Sequence, residues 1–231
     1  MNLLGKALAF GVVGLGLAST GARATTVATW TFETSQPATA GPFAPEIGAG
    51  AASGSHSGAS AYSSPVGNGS AHSFSSTVWA VGDYYQFSVN TTGLNGITLS
   101  WDQTSSNTGP RDFKLAYSTD GSTFIDFATY PVLANSSPNP VWNSTTASAI
   151  YSLTQDLSSV AALNNRAAVY FRLIDTSTVS ANGGTVGTGG TDRVDNFTVS
   201  GISAVPLPAA AWLLGSGLLG LGGLMRRRSG S

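Results

Sequence analysis

Apolar and polar residues alternate along short runs through the middle of this chain. In the run at residues 84–89, Tyr85, Phe87 and Val89 alternate with more polar neighbours, and residues 97–102 and 113–118 repeat the pattern. A period of two places the apolar side chains on one face of a strand and the polar ones on the other. These runs therefore predict half-buried strands of antiparallel sheets.

Further runs of the same kind complete the predicted set of strands. They lie at residues 26–33, 124–128, 149–153, 168–174 and 194–199. The run at 168–174 is apolar on both faces and is predicted to be a central strand. Between 113–118 and 124–128, the sequence Thr-Asp-Gly-Ser at 119–122 predicts a hairpin turn, because Asp and Gly tolerate positive φ.

Two segments do not follow the alternation. Residues 34–69 are dense in Ser, Gly, Ala and Pro, which predicts a long loop or a set of short irregular strands. Residues 155–164 have weak helical spacing. Eight or so short strands without a repeat of fixed period indicate an all-β fold, an antiparallel, jelly-roll-like β-sandwich occupying residues 25–204.

Composition narrows the chemistry of this domain. Charged residues make up 9% of the chain, with a formal net charge of -1, which gives no electrostatic reason to expect nucleic acid as a partner. The chain contains no cysteine, which excludes thiol catalysis, iron–sulfur clusters and cysteine-ligated zinc.

The C-terminal segment, residues 205–231, differs from the rest of the chain. Val205-Pro206-Leu207-Pro208 precedes an uncharged apolar run at 209–225, which begins with Ala209 and is followed by Arg226, Arg227 and Arg228. The prolines mark a boundary because they cannot continue a helix. A helix over 209–225 would be about 26 Å long at ~1.5 Å per residue, which is just enough to span a membrane. The arginines favour a cytoplasmic location for its end.

This order of elements resembles the PEP-CTERM sorting signal of Gram-negative bacteria, in the variant that reads Val-Pro-Leu-Pro-Ala. The resemblance covers Val205 to Arg228 and none of the domain before it. It implies recognition by an exosortase, a membrane protease-transpeptidase, and delivery from the cytoplasmic membrane to the cell surface or the exopolysaccharide matrix. The alternative is a plain C-terminal membrane anchor.

The N-terminus predicts a second targeting signal, a signal helix within residues 1–24. Lys6 precedes an apolar stretch at 7–18, and Ala22-Arg23-Ala24 fits the small-x-small cleavage pattern with the cut after Ala24. Together the two ends predict an exported domain that is anchored in the membrane before processing.

The order of strands in the domain loosely resembles carbohydrate-binding jelly-roll modules. The segments that carry this resemblance are residues 101–127, centred on Tyr117-Ser118-Thr119-Asp120-Gly121, and residues 193–199. In such modules an acidic residue at the end of the first strand and an aspartate in the last strand often share a calcium ion. The resemblance implies that role for Glu33 and Asp195, because calcium prefers hard oxygen ligands. The alternative is that Asp195 hydrogen-bonds a turn and Glu33 is solvated.

Aromatic side chains are candidates for sugar contacts, since their flat apolar faces can stack on pyranose rings. Trp101 alternates in phase with Ile97 and Leu99 and is predicted to lie in the core. Trp79 and Trp142 lie in loop-like sequence and are the predicted glycan-binding residues.

Catalysis has no comparable signal. A glycosidase needs two carboxylates facing each other across the sugar, and no pair of acids stands out in the sequence. His56 and His72 lie in Ser- and Gly-rich stretches, which predicts two solvated loop histidines. We therefore predict a non-catalytic surface or matrix protein that binds glycan. The alternatives are a secreted polysaccharide hydrolase and a self-assembling surface protein with a long exposed edge strand.

Overall fold

A computed structural model describes residues 24–203, and within this range the protein is an antiparallel β-sandwich. Two short 3-10 helical turns lie at Ala149–Tyr151 and Ala161–Leu163. The strands are β1 (Ala24–Trp30), β2 (Ile47–Gly48), β3 (Gly50–Ser55), β4 (Tyr62–Ser63), β5 (Phe74–Ser76), β6 (Tyr84–Val89), β7 (Leu94–Ser105), β8 (Asp112–Ser118), β9 (Ile125–Pro131), β10 (Ser152–Asp156), β11 (Val169–Asp175) and β12 (Asp192–Ser203).

The first sheet is built around β12, the last strand of the sandwich. Its order is β10-β7-β12-β1-β2, with β5 also paired to β12 and β4 paired to β5, which makes seven strands. One edge of β12 pairs with β7, whereas the other pairs first with β5 and then with β1. The ladder is irregular between Asp195 and Thr198, where Asn196 has a φ of 52°.

The second sheet has five strands in the order β3-β6-β11-β8-β9. The prediction of a central strand at 168–174 is confirmed, because β11 pairs with β6 on one side and β8 on the other. Its two faces differ, however. Phe171 and Leu173 are buried, whereas Tyr170 and Arg172 on the opposite face are partly exposed.

Aromatic side chains from both sheets fill the space between them. Phe87 of β6 stacks on Phe197 of β12, with ring centroids 3.5 Å apart and planes at 3°. Trp30 meets both rings edge-on, and Trp101, predicted to lie in the core, is 1% exposed. This cluster removes large apolar areas from water and so holds the sheets together.

The strand predictions fail where sequence patterns were short or weak. The predicted strand at 149–153 begins instead as a 3-10 turn and becomes β10 only at Ser152. The helical spacing at 155–164 produces a single turn at Ala161–Leu163. Residues 34–69 contain the short strands β2, β3 and β4, which is the second of the two predicted alternatives, whereas β5 has no counterpart among the predicted strands.

Both predicted targeting signals lie outside the described residues, apart from Ala24, which is the first residue of β1. Ala22, the sorting motif Val205–Ala209 and the arginines at 226–228 fall in the ranges 1–23 and 204–231. Among residues 24–203, no helix is long and apolar enough to span a membrane.

Val78 provides a test of local backbone strain. It has a φ of 59°, which a β-branched residue adopts only at a cost, and it is 36% exposed. We expect Val78→Gly to raise the free energy of unfolding by about 0.5–1 kcal/mol, since glycine tolerates this conformation. Val81→Gly, at a neighbouring exposed site of ordinary φ, should lower the free energy by a similar amount. Urea unfolding measures the free energy of unfolding of both variants. An equal decrease in the two variants would show that the backbone at Val78 is unstrained.

Candidate functional site

The outward-facing side of the five-stranded sheet carries a set of partly exposed polar and aromatic side chains. Burial alternates along β6 and β11, so that Tyr84, Gln86, Tyr170 and Arg172 point away from the core. Arg172 lies opposite Gln86 on β6 and opposite Ala116 on β8, at the centre of the sheet. We call this surface the outer face.

Arg172 is held between two aromatic rings. Its guanidinium carbon lies 3.9 Å from the centroid of the Tyr84 ring and 3.6 Å from that of Phe124. The Nε atom donates a hydrogen bond of 2.8 Å to Gln86 Oε1. Cation–π contacts on both sides and a hydrogen bond at Nε fix the guanidinium in one orientation. We call Tyr84, Arg172 and Phe124 the aromatic–arginine stack.

The hairpin between β8 and β9 places Phe124 on the outer face. The predicted turn is confirmed, with Gly121 at a φ of 74°. The Asp120 carboxylate accepts hydrogen bonds from the backbone N–H groups of Thr123 and Ser122 and from the Ser118 hydroxyl, and these lower the pKa of Asp120 to about 2. A side chain at Gly121 would press on the Tyr170 ring, because its Cβ would lie 3.1 Å from Tyr170 Cζ.

A cleft of about 640 Å³ adjoins the outer face. Asp112 lines it and shares a face of β8 with Lys114, two positions away. The Asp112 carboxylate accepts two hydrogen bonds from Arg111, at 2.8 and 3.1 Å, and one from the Ser177 hydroxyl at 2.6 Å. The Arg111 guanidinium holds the pKa of Asp112 below its usual value. The lining residues are Arg111, Asp112, Phe113, Thr129, Tyr130, Pro131, Thr176 and Ser177.

The two residues predicted to bind calcium contact the same loop. Glu33 Oε1 accepts a hydrogen bond of 2.8 Å from the backbone N–H of His72. Asp195 Oδ2 accepts bonds of 2.9 Å from the N–H of Asn68 and 2.7 Å from the Ser70 hydroxyl. Glu33 and Asp195 thus both hold the loop at residues 68–72 by direct hydrogen bonds.

Hydrogen-bond donors of the loop face both predicted calcium ligands. Calcium takes six to eight oxygen ligands, whereas the loop points N–H and O–H donors at the two carboxylates. Among residues 24–203, no three histidine or acidic side chains are grouped so that they could hold a metal ion. The contacts match the alternative in which Asp195 hydrogen-bonds a turn, and calcium at Glu33 and Asp195 stays a prediction.

Burial changes the titration of three aspartates. It raises the pKa of Asp195 to about 7, against the opposing hydrogen bonds from Ser70, Asn68 and Asn196. It raises the pKa of Asp175 to about 6, and the charges of Asp83 and Asp112 add to this effect. Burial also raises the pKa of Asp192 well above its ordinary value. Each of these groups is more easily protonated in the folded protein than in the unfolded chain.

The prediction that Trp79 and Trp142 lie at the surface is wrong. Trp79 is 7% exposed and packs against the rings of His56, Tyr85 and Phe113. Trp142 is 4% exposed, packs against Tyr151 and donates its indole N–H to Val66 O at 2.7 Å. Both indoles are buried, so neither offers an open ring face for a pyranose to stack on.

His56 is not a solvated loop histidine as predicted, since its side chain is 1% exposed. Its Nδ1 lies 3.1 Å from Asp83 Oδ2, and its Nε2 lies 3.0 Å from Ser76 Oγ. A Ser-His-Asp order is typical of nucleophilic triads. Here, however, Ser76 is 0% exposed, and Trp79 packs against the imidazole. The three side chains therefore form a buried polar network that a substrate could not reach in this conformation.

No family model and no curated protein matches this chain. Solved structures similar to it include the K2 cleaved adhesin domain of Lys-gingipain, with 14% identity, a TM-score of 0.44, and coverage of 74% of this chain and 97% of that domain. The xylanase 10B CBM22-1–GH10 modules of Clostridium thermocellum, complexed with xylohexaose, have 12% identity and a TM-score of 0.44. That match covers 79% of this chain and 29% of the xylanase chain.

A third similar structure is CBM35 from Paenibacillus barcinonensis. It has 16% identity and a TM-score of 0.35, and the match covers 77% of this chain and 97% of that one. At these values no ligand or activity passes from any of the three proteins to this chain.

Proposed function

We propose that this chain is an exported, non-catalytic β-sandwich that binds polysaccharide through the outer face of the five-stranded sheet. The observation that carries this proposal is the aromatic–arginine stack. Tyr84 and Phe124 supply partly exposed aromatic rings beside Arg172, while Gln86 and Arg172 supply hydrogen-bonding groups. Sugars need both kinds of contact, because a pyranose has an apolar face and polar edges.

The surroundings of the stack suit an extended ligand. Small side chains lie beside it on the neighbouring strands, at Ser53, Ser88 and Ala116. From Tyr170 to Ile174 the face extends about 13 Å along β11 at ~3.3 Å per residue. A surface of this length accommodates more than one sugar residue.

The location of the protein is a second part of the proposal. The signal at 1–24 and the PEP-CTERM-like segment at 205–231 support export, processing by an exosortase and delivery to the surface or the exopolysaccharide matrix. Exopolysaccharide would then be the ligand within reach. Intact mass of the native protein tests the processing step, and a C-terminus that still ends at Ser231 would argue for the plain membrane anchor.

Two alternatives have less support from the described residues. Hydrolysis would need two facing carboxylates, and Asp112 is the one acidic side chain among the residues that line the cleft. Self-assembly through strand edges would need a long open edge. Among the outermost strands of residues 24–203, the longest is β9, which has seven residues with Pro131 at its end.

Binding of the purified chain to bacterial exopolysaccharide tests the main proposal. We expect saturable binding in titration calorimetry, and we expect Tyr84→Ala to weaken it about tenfold, which corresponds to ~1.4 kcal/mol. Tyr84→Phe keeps the ring and should retain most of the affinity. Val141→Ala, at a site that is 69% exposed and away from the outer face, is the matched control. Equal affinity of Tyr84→Ala and the unchanged protein would remove the outer face from the proposal.

A further inference from the structure

The guanidinium of Arg172 has only its edge available for a ligand. The Tyr84 and Phe124 rings cover its two faces, and Nε is committed to Gln86. Among residues 24–203, neither Nη atom of Arg172 has a hydrogen-bond partner. The donors left over are therefore the in-plane N–H groups of the two Nη atoms, in the fork geometry that matches a carboxylate.

Arg172 also differs from its neighbouring cations Arg111 and Lys114 in having no carboxylate partner among residues 24–203. Lys114 Nζ lies 2.9 Å from Asp126 Oδ2, and Arg111 is paired with Asp112 at the cleft. Arg172 forms no ion pair within the described part of the chain. Partial burial lowers the pKa of its guanidinium, yet an arginine stays cationic at neutral pH. A positive charge held half-buried without an acid favours an anionic partner.

We propose, on the basis of the polysaccharide-binding function above, that the ligand is an acidic polysaccharide and that the Nη edge of Arg172 binds the carboxylate of a uronic acid residue. The fixed guanidinium donates two parallel hydrogen bonds to the two carboxylate oxygens. The rings of Tyr84 and Phe124 keep the guanidinium in place, so little side-chain freedom is lost on binding. Arg172 thus determines specificity, and the aromatic surface supplies contact with the sugar ring.

A matched pair of polymers tests this proposal. Polygalacturonate and its carboxyl-reduced form have the same backbone and differ in the carboxylate. We expect the full chain to bind polygalacturonate at least tenfold more tightly than the reduced polymer at low salt. Added salt should narrow the difference, because it screens the ion pair.

Three variants locate the preference at Arg172. Arg172→Gln should reduce the ratio of the two affinities to within about twofold, whereas Arg172→Lys should keep part of it because it keeps the charge without the fork. Lys114→Gln removes a cation of the same face that already has a carboxylate partner, and it should leave the ratio within about twofold of the original. Circular dichroism and melting temperature confirm that each variant is folded.

The possible failures are distinguishable. Equal binding of both polymers by the unchanged protein would overturn the acidic specificity and leave polysaccharide binding intact. Failure to bind either polymer or exopolysaccharide would overturn both proposals. A loss of preference in Lys114→Gln equal to that in Arg172→Gln would show a general attraction of anions in place of a carboxylate site. If Arg172→Gln does not fold, Arg172→Lys takes its place in the test. An affinity ratio for the two polymers that is unchanged in folded Arg172→Lys would overturn the proposal that the guanidinium fork binds the carboxylate.

Discussion

Phe197→Ala is expected to lower the free energy of unfolding by about 3–5 kcal/mol, which is a large part of the stability of most domains. Phe197 is fully buried and lies against Phe87, Trp30 and Trp101, so that its loss leaves a cavity where the two sheets meet. Urea unfolding followed by tryptophan fluorescence measures the change.

Ile125→Ala is the control for this experiment. Ile125 is a large apolar side chain on β9, but it is 53% exposed, so its truncation should change the free energy of unfolding by less than ~0.5 kcal/mol. If both variants lost similar amounts, the aromatic cluster would not be the main source of stability.

The second large effect is a rise in stability as the pH falls from 8 to about 5. The pKa values of Asp195 and Asp175 are raised to about 7 and about 6 in the folded protein, from an ordinary value of 3.8. A carboxyl group with a raised pKa binds its proton more tightly in the folded state. Its contribution to stability is therefore complete below the unfolded pKa and is lost as the pH rises through the folded pKa.

The size of this effect follows from the same values. At ~1.4 kcal/mol per pKa unit, Asp195 alone contributes roughly 2–3 kcal/mol between pH 8 and pH 5. His56 acts in the opposite direction below its ordinary pKa of 6.5, because burial lowers its pKa and the folded protein resists protonation there. We expect a stability maximum near pH 5, measured by urea unfolding at a series of pH values. Asp195→Asn cannot titrate and should flatten the slope near pH 7.

The same experiment decides the calcium prediction. A calcium ion shared by Glu33 and Asp195 would favour the ionised carboxylate, so that acid would weaken the fold and a chelator would lower the melting temperature. Direct hydrogen bonds from Asn68 and Ser70 give the opposite slope and no response to chelator. The two arrangements thus predict opposite signs for the change in stability as the pH falls.

The sequence was most informative where a strand is long and one of its faces is buried. Alternation in β6 and β8 identified those strands, because each residue that faces the core must be apolar. It failed for β5, whose residues Phe74–Ser76 are all buried, two of them serines held by pairing with β12. Short strands of this kind are determined by their neighbours in space, which a local pattern does not contain.

The candidate site was only partly accessible to the same reasoning. Tyr84 lies at the start of the predicted strand at 84–89, but its partners Arg172 and Phe124 come from another strand and from a hairpin. Their meeting depends on strand order, which the sequence does not give. The exposure of Trp79 and Trp142 was wrongly predicted for a related reason. The loop-like sequence around them suggested exposed side chains, whereas both indoles are buried against the sandwich.

The position of β12 also sets the time at which this protein can fold. The strands β7, β1 and β5 all pair with β12, the last strand to be synthesised. The hydrogen bond between Thr29 and Thr198 joins residues that are 169 positions apart. Contacts so distant along the chain form slowly, because the entropy of closing a long loop is lost before the contacts begin to stabilise the fold. A nascent chain that has not yet added Asp192–Ser203 lacks the centre of its larger sheet. The larger sheet is therefore expected to form only after residues Asp192–Ser203 have been synthesised.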